Sequence, residues 1–166
     1  MDQRLIRGRE DYLRFQTPVL ERPLEIAGRV RARLFIASDA PDTDFVVKLI
    51  DVHPDGYEAL MLDGVLRTRY RLGLDREVFL QAGRPVEIEV DLWSTALVFN
   101  RGHRIAVHVS SSNNPRFDPN PNTGKATRAD DEKRVASNTI FFGDAMPSRI
   151  TLPVTRELRE PVEDES

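Results

Sequence analysis

The stretch Gly102–Gly124, GHRIAVHVSSSNNPRFDPNPNTG, carries the reading on which the fold turns. In its first half Ile105, Val107 and Val109 alternate with Ala106 and His108, the period of a half-buried strand. Its second half can be neither strand nor helix. Pro115, Pro119 and Pro121 remove backbone donors and fix φ. Asn113, Asn114, Asp118, Asn120 and Asn122 carry side chains that turn back onto their own backbone. A buried strand therefore runs straight into a proline-pinned loop. Such a loop persists where it serves a site or an interface.

The flanking chain repeats the strand signal. Tyr12–Gln16 reads as a short strand and Leu24–Ile36 as a long one. In the long one Arg29, Arg31 and Arg33 alternate with Val30, Ala32 and Leu34, giving a wet face and a core face; a phosphate-binding arginine stripe is the competing reading. Phe45–Val52 is apolar on both faces apart from Lys48 and Asp51, as in a central strand. Ala59–Leu62 and Val65–Arg71 flank Asp63-Gly64, a hairpin cue. Val86–Leu92 alternates, with Glu87, Glu89 and Asp91 facing away from its apolar set, and Thr95–Phe99 follows. Asn138–Phe142 and Arg149–Val154 are the last strands. Lys125–Lys133 has no period and reads as a mobile loop, overlapped by a weak helix candidate at Arg128–Val135. Short strands, frequent turns and no paired helices predict an all-β sandwich or barrel. The expected organisation is a single domain over residues 1–166, with a core over about 12–154 and an acidic tail from 155 to 166.

Composition narrows the function. A net charge of -3 and the lack of a basic patch interleaved with aromatics argue against nucleic acid. No apolar run approaches the ~20 residues of a membrane span. The first residues lack the apolar stretch of a secretory signal, and Cys is absent, so neither disulfides nor thiolate chemistry is available. A cytoplasmic location is the expectation.

A hydrolase centre needs a nucleophile, a base and an orienting group. None of Ser38, Ser94, Ser110, Ser111, Ser112, Ser137 and Ser148 sits in a G-x-S-x-G elbow. The odd spacing of His103 and His108 sends them to opposite faces of one strand, which is poor for a shared metal. Asp42, Asp44, Asp51, Asp55 and Asp63 invite a calcium reading, but D-T-D-F lacks the spacing of a full binding loop. The stronger reading pairs these acids with Arg67, Arg69 and Arg71, alternating on one strand face. Trp93, with Leu97 and Phe99, reads as core, or else as a patch buried against another domain. No catalytic residue, cofactor or metal ligand is predicted.

The motifs SDAPDTDF (38–45), KLIDVHPDG (48–56), DGVLRTRYR (63–71), FNRGHRIAVHVSSSNNPRFDPNPNTG (99–124) and PSRITLPV (147–154) occur in one order. In that order they resemble the C-terminal domain of the X-Pro dipeptidyl-peptidase and cocaine esterase family of serine hydrolases. That family includes glutaryl-cephalosporin acylases and α-amino-acid ester hydrolases. The resemblance implies a jelly-roll β-sandwich of the galactose-binding type, packed on an α/β-hydrolase domain that carries the catalytic triad. It also implies a structural role, in some relatives supporting homo-oligomers, and the chain is expected to be one domain of a larger enzyme. Structural rather than chemical duties then fall to Asp42, Asp44, Asp51, Asp63, Arg67, Arg69, His103, Arg104, Asn113, Arg116, Asp118, Asn120 and Asn122. Arg116 and Asp118 are expected to anchor the loop. The rival is a stand-alone carbohydrate-binding module, for which the loop offers one aromatic, Phe117.

Overall fold

A computed structural model describes residues 1–125 and 132–157. The loop Lys125–Lys133 falls largely outside these residues, as does most of the acidic tail; of the helix candidate Arg128–Val135 only the second half is described, and it is not helical. Among the described residues nine strands form two antiparallel sheets: β1 (Tyr12–Gln16), β2 (Leu24–Ser38), β3 (Asp44–Val52), β4 (Glu58–Arg67), β5 (Val86–Phe99), β6 (Arg104–Ser110), β7 (Asn138–Phe141), β8 (Arg149–Thr151) and β9 (Val154–Glu157). One sheet has the order β1-β6-β3-β4; in the other, β5 and β7 flank β2, which also pairs with β8 and β9. The chain is a β-sandwich, one of the two folds the alternating runs predicted, and of the jelly-roll type that the resemblance implied. The first residues of the acidic stretch belong to β9 and pair with β2.

The core lies between the sheets. Ile26, Val30, Ala32, Leu34 and Ile36 of β2 meet Phe45, Val47 and Leu49 of β3, with Ile88, Val90 and Leu92 of β5 and Ile105 and Val109 of β6. Every residue of β3 is buried, because the outer face of its sheet is covered too. A 3-10 turn at Gln3–Ile6 contributes to that cover: Gln3 is buried and accepts a 3.1 Å hydrogen bond from Lys48 Nζ. On the wet face of β2, Arg29 pairs with Asp91, Arg31 with Glu89 at 3.6 Å and Arg33 with Glu87 at 3.3 Å. These arginines are matched by the acids of β5 and do not form a free phosphate stripe.

Three sequence expectations are corrected. Asp63-Gly64 is not a turn; both residues lie inside the continuous strand β4, opposite Lys48 and Val47. The glycine is required by proximity, since a Cβ there would sit 2.2 Å from the Asp91 carbonyl oxygen of the facing sheet. Arg67, Arg69 and Arg71 do not share a strand face, because β4 ends at Arg67 and Thr68–Tyr70 forms a 3-10 turn. Val86–Phe99 is one strand, and Trp93 is not core. Its φ is +70° and it is 72% exposed, at a bulge where the register with β2 slips between Arg29 and Arg31. The slip switches the inward set from Ile88, Val90 and Leu92 to Leu97 and Phe99.

Candidate functional site

At the start of β3 the residues singled out in the sequence converge on one network. Asp42, fully buried, accepts hydrogen bonds from Thr68 Oγ1 (3.0 Å), the Arg69 backbone N–H (2.8 Å), Arg69 Nε (2.9 Å) and Asn120 Nδ2 (2.7 Å). Asp44 holds Arg67 through two nitrogens, at 2.9 and 3.0 Å, and takes a second bond from Asn120 at 2.8 Å. The rest of the Arg69 guanidinium meets Glu77 at 3.2 Å and the Lys125 carbonyl at 3.0 Å, and it lies over the Phe79 ring. The 3-10 turn makes this possible by swinging Arg69 off the strand axis and under the loop.

The Gly102–Gly124 loop is thus pinned by carboxylates of other segments. Asn113 donates to Asp63 at 2.9 Å, and Arg116 Nε lies 3.1 Å from the same carboxylate. Asn120 Oδ1 accepts from the Asn122 N–H, and Asn122 Nδ2 donates to the Arg134 carbonyl. The Asn114–Pro115 bond is cis. Asp118 differs from expectation: its backbone carbonyl accepts from Arg67 at 3.3 Å, while the residue itself is exposed. Asn120, 8% exposed, is the anchor. Arg104 donates to the Thr17 carbonyl and ties β6 to the segment after β1.

Sequence reading missed a second polar layer. The registers Arg14↔His108, His108↔Lys48 and Lys48↔Asp63 draw one row across the outer face of β1-β6-β3-β4. Glu58, fully buried, joins that face through Arg7 at 2.6 Å and Arg14 at 2.9 Å. Burial pushes the Glu58 carboxyl up, but Arg7 and Arg14 outweigh it and hold the group below its ordinary value. The signal in the sequence was an isolated charged or polar residue within each otherwise apolar strand, as at Arg14, Lys48, Asp63 and His108.

His108 is 1% exposed, its ring tilted against that of Tyr12, and neither ring nitrogen has a hydrogen-bond partner among the described residues. Burial lowers its pKa from 6.5 to about 4; Glu58, 4.0 Å away, opposes this, and Arg14, Lys48 and Arg7 reinforce it. The unfolded chain therefore binds the proton first. Stability is full above the unfolded pKa and declines as pH falls from 6.5 towards 4, by up to about 3 kcal/mol. Urea unfolding at pH 7.5 and 4.5 should show this loss in the native chain and a loss smaller by roughly 2 kcal/mol in His108→Gln. An identical pH dependence in both would assign the effect to other groups.

None of this is a catalytic constellation. Among the described residues no His ring hydrogen-bonds to a serine, and Ser111 Oγ accepts from Asn138 Nδ2 at 2.8 Å. The acids are not gathered for calcium, since Asp42, Asp44 and Asp63 serve Arg67, Arg69, Arg116 and the asparagines, and Asp55 accepts from the Tyr57 N–H. At the other end of β3, His103 Nδ1 lies 2.8 Å from Asp51 Oδ1, with His53 beside them.

An apolar opening lies at one edge of the sandwich. On one side β4 and β5 touch backbone to backbone at Gly64 and Asp91. On the other, β1 and β7 stand apart around a cavity of about 250 Å³ lined by Phe15, Leu34, Val47, Val109, Ile140 and Phe142. Phe15 and Phe142, 40% and 56% exposed, meet at its mouth with ring centroids 5.1 Å apart.

A closed polar framework and an open apolar seam on two packed antiparallel sheets define a β-sandwich domain. Comparison with known proteins gives the family. Residues 4–151 match the model of the X-Pro dipeptidyl-peptidase C-terminal non-catalytic domain, and the chain belongs to that family. It is 45% identical over 157 residues to the cocaine esterase of Rhodococcus sp. (strain MB1 Bresler), covering 93% of this chain and 27% of the esterase. An α-amino acid ester hydrolase structure superposes with a TM-score of 0.88 at 34% identity, covering 92% of this chain and 27% of that one. An aminopeptidase from a marine-sediment Thaumarchaeota archaeon gives 0.88 at 32%, covering 93% and 27%. The chain spans about a quarter of the length of these relatives.

Proposed function

We propose that this chain is the accessory domain of a serine hydrolase acting on esters, amides or X-Pro peptides, and that it docks on the α/β-hydrolase catalytic domain of that enzyme. The observation that carries the reading is membership of a family of non-catalytic domains by a chain spanning a quarter of its relatives' length. The seam between β1 and β7 supplies the contact. Phe15, Phe142 and half-exposed Leu13 form an apolar patch that water covers poorly. The polar framework at Asp42 and Asp44 keeps the loop ordered beside it. A carbohydrate platform on Phe117 is disfavoured, since Arg116 lies over its ring at 5.6 Å.

The test is a chimera in which this chain replaces the matching quarter of the Rhodococcus cocaine esterase. The chimera should hydrolyse p-nitrophenyl acetate, and the chain alone should turn over neither that ester nor an X-Pro-nitroanilide. Phe15→Asp with Phe142→Asp should lower the chimera's activity and melting temperature while leaving the isolated chain folded. Turnover by the isolated chain, lost in Ser111→Ala, would overturn the reading, as would a chimera indifferent to the double substitution. Concentration-dependent self-association in sedimentation would identify a second copy of the chain as the occupant of the seam.

A further inference from the structure

Asp51 and His53 lie two residues apart as the chain leaves β3, so both side chains project to one side of the sheet. Across the ladder, Asp51 is registered with Ile105, which places His103 diagonally beside it. His103 Nδ1 lies 2.8 and 3.0 Å from the two carboxylate oxygens of Asp51. His53 Nε2 lies 3.5 Å from Asp51 Oδ2, and the imidazole centroids are 4.4 Å apart. One donor atom from each of the three side chains falls within 4.8 Å of the other two, the one such group among the described residues.

We propose that Asp51, His53 and His103 form a binding site for a single divalent cation of the zinc class. A tetrahedral zinc ion with bonds of about 2.0–2.1 Å sets its ligand atoms about 3.3 Å apart. The observed 2.8 to 3.5 Å separations from Asp51 bracket that value, and the two imidazole ligand atoms lie within 4.8 Å of each other, so the cation enters as the His53 and His103 rings draw together. Two imidazoles and one carboxylate select a borderline ion such as Zn(II) and reject Ca(II) and Mg(II), which want oxygen throughout. Asp51 and His103 are 7% and 8% exposed, whereas the His53 side chain is 37% exposed. The fourth position therefore opens to solvent on the His53 side.

The backbone holds both histidines in place before any ion arrives. The His53 carbonyl accepts from Gly56, and the His53 N–H donates to the Tyr57 carbonyl, closing the turn HPDG. The His103 N–H donates to the Asn100 carbonyl, and the His103 carbonyl accepts from Leu20. A bound cation would staple the β3–β4 turn to the β5–β6 turn, where Pro54 and Gly102 already lie near contact. A plain Asp51–His103 hydrogen bond makes the opposite forecast, indifference to zinc.

Calorimetric titration of tag-free chain with ZnCl2, after chelator treatment, reads the difference. The expected result is saturable uptake of one equivalent. With CoCl2 the same site should give the intense visible bands of four-coordinate Co(II). Free zinc at 100 times Kd should raise the melting temperature by roughly 5–10 °C, and MgCl2 should do nothing. His53→Ala removes a half-exposed side chain, so it should melt like the native chain without metal yet lose both the uptake and the rise. No saturable uptake by the native chain, or undiminished uptake by His53→Ala, would overturn the site.

Discussion

Replacing Asp42 by alanine should lower the unfolding free energy by about 3–5 kcal/mol, the cost of breaking a buried ion pair from one side. The reason lies in what remains behind. Asp42 is fully buried and is the shared acceptor of Thr68, Arg69 and Asn120. Without it the Arg69 guanidinium, itself 5% exposed as a residue, keeps only Glu77 and the Lys125 carbonyl. Thr68, the Arg69 backbone N–H and Asn120 each lose an acceptor in a place water does not reach. Small domains are stable by about 5–15 kcal/mol, so this single change consumes a large share of the total. Graded variants separate the contributions. Asn120→Ala should cost about 1–3 kcal/mol, because the two carboxylates it bridges retain their arginines. Asp118→Ala should change stability by no more than about 0.5 kcal/mol, since only its backbone carbonyl is engaged. Urea unfolding of the three variants measures all of this. A loss below about 1 kcal/mol in Asp42→Ala would show that the network is ornamental.

Elements with two unlike faces were legible in the sequence, because alternation is a local consequence of the pleat. Tyr12–Gln16 and Leu24 onward appear where the pattern puts them. What escaped the sequence is set by partners far along the chain. Asp-Gly reads as a turn in isolation, and only the facing sheet reveals that Gly64 is there for close approach. A 3-10 turn of three residues, Thr68–Tyr70, has no period to detect, so Arg69 was assigned to a strand face it does not occupy. The importance of the asparagine loop was legible, but its acceptors were not. Asn120 was expected to satisfy backbone groups; its Oδ1 does accept from the Asn122 N–H, while its Nδ2 serves two buried carboxylates from the start of β3, which the sequence did not reveal. His103 was weighed against His108, five residues on, whereas its neighbours Asp51 and His53 come from the end of β3 and the turn after it.

The second large effect is expected at Gly64. An alanine Cβ would stand 2.2 Å from the Asp91 carbonyl oxygen, 2.9 Å from the Asp91 carbonyl carbon and 3.2 Å from Leu92 Cα. All three are backbone atoms, so no rotamer change can make room. The φ of Gly64 is not in the left-handed region, so conformational strain is not the cause. Either β4 leaves its ladder with β3, or the two sheets part along the β4–β5 side. Parting would loosen Leu92, which is wholly buried and adjoins the bulge at Trp93. Overpacking a core typically costs 1–3 kcal/mol, and a backbone obstruction belongs at or above about 3 kcal/mol. Gly64→Ala should therefore lower the urea midpoint at least as far as Asn120→Ala. Amide exchange should quicken in β4 and β5, while β1 and β6 at the other edge keep their protection. That polarity follows from the architecture: the sandwich is pinched shut at Gly64 and open at Phe15 and Phe142. A chain that tolerates Gly64→Ala with unchanged exchange in β5 would mean the pinched edge yields easily. The contrast between a pinched and an open edge would then carry no mechanical meaning, and the seam's fitness as a docking surface would rest on its exposed Phe15 and Phe142 alone.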